Sequence, residues 1–120
     1  MNLINLFRNT EAVPFPAGHT IFEQGAPGAA MYIVLEGAVE IRAAGTPLEV
    51  LGAGAIFGEM ALIDGSPRSA AAIAKTDCRV VEIDSRRFEF MVSQTPYFAL
   101  AVMKTMADRL RKSNTRMATP

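Results

Sequence analysis

Glu59 and Arg68 stand nine residues apart in a glycine-punctuated segment: Phe57-Gly58-Glu59-Met60-Ala61-Leu62-Ile63-Asp64-Gly65-Ser66-Pro67-Arg68-Ser69-Ala70. An arginine's planar fork pairs two oxygens of one anion at once, which a lysine's point charge does not reproduce. Ser69 adds a hydroxyl donor beside it. Gly58 lets the backbone approach a bound group, and residues 59–62 can form one helical turn whose first N–H groups face an anion. Asp64-Gly65-Ser66-Pro67 then turns the chain back, so that Arg68 is expected to enter the next strand facing the same anion. A carboxylate repels a phosphate unless it is committed elsewhere, and a ribose 2′-hydroxyl is a donor that would occupy it. Arginine for phosphate and glutamate for ribose together describe the sugar-phosphate edge of a ribonucleotide. Spacing alone goes no further, and a mutual surface ion pair between Glu59 and Arg68, worth little, is the competing structural reading.

Other chemistry is thinly represented. His19 is the sole histidine and lies in a turn beside Gly18, which leaves no cluster for a cupin-type metal. Nothing orders Asp64, Ser66 and His19 as a hydrolytic triad. Cys78 is the single cysteine, so neither an internal disulfide nor a cysteine-built zinc site can form, as suits a reducing cytoplasm. The seven methionines suit core and helix packing. Lys plus Arg and Asp plus Glu number 12 each, so no long-range field gathers nucleic acid or an anionic membrane. Any bound anion must be captured locally. The opening MNLINLFRNTEA lacks a basic region followed by a long apolar stretch, and the apolar run 29–35 is too short to span a bilayer. A soluble chain is expected.

With 120 residues, half of them hydrophobic, the chain suits one domain over 1–120. Short apolar segments at 20–22, 31–35, 38–43, 48–51, 55–57, 69–74 and 78–83 alternate with glycine turns, the pattern of a β-sandwich or barrel over about 17–83. Val39 and Ile41 alternate with Glu40 and Arg42, and Glu36-Gly37 supplies a tight turn, so 31–43 is expected to form a hairpin. Residues 2–9 form a short helix, with Leu3, Ile4 and Phe7 on one side. Beyond Ile83 the period becomes helical. Asp84 or Ser85 caps a helix through Phe88, Met91 and Val92, and Thr95-Pro96 begins another. In the latter, over 97–112, Ala99, Met103, Met106 and Leu110 make an apolar stripe. Arg109, Arg111, Lys112 and Arg116 are expected to complement its C-terminus, with a lid or partner contact as the alternative, and 113–120 to fray.

The segment FGEMALIDGSPRSA resembles the phosphate-binding cassette of the cyclic-nucleotide-binding domain family, found in bacterial catabolite activators, protein kinase regulatory subunits and cyclic-nucleotide-gated channels. Gly18-His19-Thr20-Ile21-Phe22 with Gly25, Met31-Tyr32-Ile33-Val34-Leu35-Glu36-Gly37, the Phe88 helix, Pro96 and Arg109-Leu110 extend the likeness over most of the chain. The resemblance implies a mainly β fold: a jelly-roll-like β-roll with a short N-terminal helix and two C-terminal helices. It implies a ligand site of Gly58, Glu59, Met60, Ala61, Leu62, Arg68, Ser69 and Ala70. Glu59 would take the ribose 2′-hydroxyl and Arg68 the exocyclic phosphate oxygens, while Ser69 and the N–H groups of Gly58, Ala61 and Ala70 hold the rest of the phosphate. The ligand expected is cyclic AMP, with cyclic GMP second, and no cofactor or catalysis. The last helix is expected to close over the base and to meet an effector protein or a second copy. Nothing after Leu110 is long enough for a helix-turn-helix, so no nucleic-acid binding is expected of this chain alone. A roll that serves only as a protein-interaction module, and an enzyme hydrolysing the cyclic phosphodiester, are the alternatives.

Overall fold

The computed structural model describes residues 3–118, and the side chains of 3–112. The chain runs α1 (Leu3–Phe7), β1 (Val13–Phe15), β2 (Thr20–Phe22), β3 (Ala30–Glu36), β4 (Val39–Ala43), β5 (Thr46–Leu51), β6 (Ile56–Phe57), α2 (Glu59–Asp64), β7 (Ala71–Ala74), β8 (Cys78–Asp84), α3 (Ser85–Gln94) and α4 (Pro96–Ala118). The strands form two antiparallel four-stranded sheets, ordered β1-β8-β3-β6 and β2-β7-β4-β5. The fold is thus a jelly-roll-like roll with flanking helices, its two sheets separate rather than closed into a barrel.

Pairing is nested: the first strand meets the last, the second the next to last, and so inward to the β4–β5 hairpin. The expected hairpin over 31–43 does not form. Its strands exist, but β3 pairs with β6 and β8, while β4 pairs with β5 and β7, so the chain changes sheet between them. Gly37 makes that crossing at φ 83°, where a Cβ would lie 2.3 Å from the Asp77 carbonyl oxygen. Close passage of two loops, not hairpin twist, is why a glycine stands there.

Alternation along β3 and β8 divides the interior. Met31, Ile33, Leu35, Val81 and Ile83 face the helices, with Leu3, Phe7, Phe98 and Val102. Val34, Cys78 and Val80 point the other way, toward Val39, Ala72 and Ala74 of the second sheet. Both faces of β3 are therefore covered, as its almost unbroken apolar run requires, and β8 sends Val80 and Val81 to opposite sides. Strand β1 was not foreseen, because Pro14 lies inside it. It is an edge strand, the one place where a missing N–H is tolerated.

Asp84 caps α3 by accepting from the Arg87 amide at 2.8 Å. Helix α4 begins at Pro96, its first turn closed by the Phe98 amide donating to the Thr95 carbonyl. Phe98 packs edge-on to Phe7 and Phe88. The buried face of α4 therefore runs through Phe98, Ala101, Val102 and Met106. Of the expected stripe only Met106 joins that core, while Met103 and Leu110 are exposed. The tail also differs, since α4 continues through Ala118 rather than fraying after 112; residues 119 and 120 lie outside the described chain. Among the described residues no helix is long and apolar enough to cross a membrane.

Candidate functional site

Gly58 opens the cassette at φ 79° and precedes α2, and Gly65 closes α2 at φ 73°, its amide donating to the Ala61 carbonyl. At Gly58 a Cβ would lie 2.8 Å from Arg68 Nη1, so the position requires glycine twice over. Asp64 then accepts from the Ser66 amide (2.9 Å) and hydroxyl (2.6 Å), which holds its carboxyl below the usual range. This closes the turn that returns the chain to Arg68. Arg68 precedes β7 instead of lying in a strand. Its amide donates to the Ala26 carbonyl at 2.9 Å, and its carbonyl accepts from the Gly25 amide at 2.8 Å. The β2–β3 loop thereby holds it in place.

The Arg68 side chain is turned inward and the residue is only 6% exposed. Nη1 donates to the Gly58 carbonyl at 2.8 Å and Nη2 to the Ala30 carbonyl at 2.7 Å. The guanidinium lies 4.2 Å above the Phe22 ring, a cation–π contact, in an aromatic cluster with Tyr32 and Phe57. Gly28 backs it so closely that a Cβ there would fall 2.5 Å from Nε. Among the described residues no carboxylate forms an ion pair with Arg68, and burial pulls its pKa down. Nε is buried without a hydrogen-bond partner.

Glu59 is fully buried. Its Oε1 accepts from Arg109 Nη1 at 2.5 Å, and Arg109 Nη2 donates to the Ile56 carbonyl at 3.0 Å. Burial raises the Glu59 pKa, against the opposing pull of Arg109. Its second oxygen, Oε2, has no partner. The surface ion pair weighed for Glu59 and Arg68 is therefore not what the fold makes: both are buried, and Glu59 is paired with α4.

A cavity of about 400 Å³ lies against the cassette. Gly58, Met60, Ala61, Ser69 and Ala70 of the expected site line it, with Phe22, Leu48, Glu49, Arg109 and Lys112 from elsewhere. Glu59 and Arg68 are not in its lining but lie between residues that are, Gly58 and Met60 for one, Pro67 and Ser69 for the other. Leu62 differs from expectation, packing into the core beneath the helices. The basic cluster differs too. Arg109 and Lys112 lie within α4, not at its end, and pair with Glu59 and with Glu49, the latter at 3.2 Å. No local signal in the sequence joins Arg109 to Glu59, fifty residues away. Among the described residues no group of His, Cys, Asp and Glu could hold a metal ion.

The chain thus combines a two-sheet roll, a short cassette helix packed on β3, and a buried arginine and glutamate beside a cavity. Residues 12–95 match the model of the cyclic nucleotide-binding domain, and the chain belongs to that family. It is 30% identical to a CRP-like cAMP-activated global transcriptional regulator of Mycobacterium tuberculosis over 118 residues, 94% of this chain and 53% of that protein. It is 41% identical to the cyclic nucleotide-gated potassium channel mll3241 of Mesorhizobium japonicum over 107 residues, 89% of this chain and 30% of the channel. Among solved structures, the Thermus thermophilus catabolite activator protein superposes with a TM-score of 0.80 at 32% identity, covering 89% of this chain and 53% of that one. The chain thus spans about half the length of the two regulators and under a third of the channel.

Proposed function

We propose that the chain is a regulatory sensor in the cytoplasm that binds cyclic AMP in the cassette cavity, without chemistry on it, and signals through α4. One observation carries the reading: the two expected ligand-holding residues each keep one buried polar atom unpartnered, Arg68 Nε and Glu59 Oε2. Orphaned buried polar atoms are costly, and a nucleotide supplies what both lack, phosphate oxygens for one and a ribose hydroxyl for the other. Ser69 and the amides of Gly58, Ala61 and Ala70 would complete the phosphate cradle. Glu59 would hold the ribose through Oε2 while Oε1 keeps Arg109, so that ligand and α4 meet on one carboxylate. The ligand moves α4 only by its difference in affinity for the helix's positions. An effector protein or a second copy would receive that movement.

Calorimetric titration with cyclic AMP is expected to give micromolar or tighter binding. Arg68→Ala should weaken it by roughly 30-fold to several thousand-fold, about 2–5 kcal/mol for one partner of a desolvated charge pair. Glu59→Ala should cost cyclic AMP far more than its 2′-deoxy analogue. An Arg68→Ala chain that binds as tightly as the parent overturns the site. A second reading, a roll that serves only as a protein-interaction module, draws on the inward turn of Arg68 onto the Gly58 and Ala30 carbonyls. A wild-type chain that takes up no cyclic nucleotide would favour it.

A further inference from the structure

A ribose hydroxyl is held best by an ionised acceptor, yet most of what surrounds Glu59 works against its charge. The residue is fully buried on α2, and taking a carboxylate out of water favours its neutral form. Strand β6, which leads into the cassette, brings only Ile56 and Phe57. Strand β3, packed against α2, carries Tyr32 and Glu36 as its titratable groups. Tyr32 stacks on Phe57 beside Arg68, and Glu36 pairs with Arg79. On α2 itself Asp64 is tied to Ser66. Arg68 lends a more distant positive charge, its Nη atoms being taken up by the Gly58 and Ala30 carbonyls. Among the described residues Arg109 of α4 is therefore the one cation in contact with Glu59, its Nη1 donating to Oε1 at 2.5 Å.

Resting on the nucleotide reading, we propose that Arg109 is a positioning residue for ribose selectivity: acting through Glu59, it keeps that side chain a carboxylate with Oε2 open to the 2′-hydroxyl. The two oxygens have separate duties, since Oε1 accepts from Arg109 while Oε2 is buried without a partner. Were Glu59 neutral, its proton would sit on Oε2, because Oε1 already faces an N–H donor. The ribose would then meet a neutral hydrogen bond in place of a charge-assisted one, which is roughly twice as strong. Burial pushes Glu59 toward that neutral form, and Arg109 is the largest opposing influence. Because Arg109 belongs to α4, selectivity for ribose becomes a property of the docked helix. Phosphate capture, made within the cassette, persists when α4 moves away.

The test is calorimetric titration of the whole chain with cyclic AMP and its 2′-deoxy analogue, across the pH range in which the chain stays folded. Base and phosphate are common to both, so the ratio of the two affinities isolates the hydroxyl. With Glu59 ionised the ratio is expected to be about tenfold or more, falling to roughly threefold as pH drops and Glu59 takes up its proton. In Arg109→Met that fall should come at higher pH than in the wild type, because the nearest opposing cation is gone. Arg109→Gln keeps an N–H donor without the charge; it should titrate as Arg109→Met does, and it serves if the methionine variant does not fold. Arg109→Lys restores the charge but not the second contact, to the Ile56 carbonyl, and should return the fall toward the wild-type pH. A ratio that follows the wild type at every pH in the uncharged variants, with Arg68→Ala still weakening both nucleotides, overturns the role of Arg109 and leaves the nucleotide reading standing. A fall in Arg109→Lys at the pH of the uncharged variants assigns the effect to the Ile56 contact and also overturns it. A wild-type chain that binds neither nucleotide overturns both.

Discussion

Two arginines serve the site under opposite conditions. Arg109, on α4, has its charge neutralised by the Glu59 carboxylate and remains 30% exposed at the side chain. Arg68, in the cassette, is almost fully buried, with two carbonyl oxygens and an aromatic ring for company and no counter-ion among the described residues. Two carbonyls and the face of the ring hold it without cancelling its charge, and Nε is left without a partner. A buried cation held this way still attracts an anion, whereas an ion-paired one is already satisfied. Under the proposed function, the contrast separates a charge kept available for ligand from a charge spent on holding a helix.

The largest expected effect that would break this contrast is in Arg68→Lys. The charge survives, but a lysine's compact ammonium does not reproduce the planar fork that reaches two carbonyls from separate nitrogens, so nucleotide affinity should fall by roughly 30-fold or more. Near wild-type affinity in a calorimetric titration would show that charge alone suffices. Arg109→Ala should act on stability first. It leaves the buried Glu59 carboxylate unpaired, at a cost of about 1–3 kcal/mol in urea unfolding. Adding Glu59→Gln to that variant should recover part of the loss, because a neutral amide is cheaper to bury. If the double variant is less stable than Arg109→Ala, the carboxylate is not the burdened group.

The smallest effect lies in pH. Burial lifts the folded Glu59 above its usual 4.5, so between those values the folded chain binds a proton that the unfolded chain has released. Stability then falls as pH rises: the contribution is fully present below 4.5 and is lost as pH climbs through the folded value. The Tm difference between wild type and Glu59→Gln should shrink or reverse over that climb, and over a wider range in Arg109→Ala, where no cation offsets the burial. Parallel Tm curves for wild type and Glu59→Gln would refute it.

The cassette was legible because its residue types are chemically committed: glycines at the left-handed positions 58 and 65, an arginine, a glutamate and a serine in one short run. Strand positions followed from period-two alternation. Partners did not, since Glu36-Gly37 looks the same whether the next strand folds back or changes sheet. Pro14 hid β1, because proline speaks against any strand that is not at an edge. On α4 apolar residues cover more than one face, and the stripe through Met103 and Leu110 competed with the one through Phe98 and Val102. The aromatic contacts to Phe7 and Phe88, distant in sequence, decided it. The pairings Glu59–Arg109 and Glu49–Lys112 were invisible for the same reason: each joins segments that only the finished fold brings together.

The nested strand order also dictates when the fold can exist. Only the β4–β5 hairpin closes a short loop; β1 must wait for β8, with Val13 opposite Val80. On a ribosome, which releases the N-terminus first, β1 to β3 emerge before their antiparallel partners β6 to β8 are made, so their apolar faces stay uncovered. Pairings so distant in sequence place folding in the slow, high-contact-order regime of roughly milliseconds to seconds. The cassette lies in the later half of this sequence of closures. A nascent chain therefore has no completed cavity to offer a nucleotide until nearly the whole roll has been synthesised.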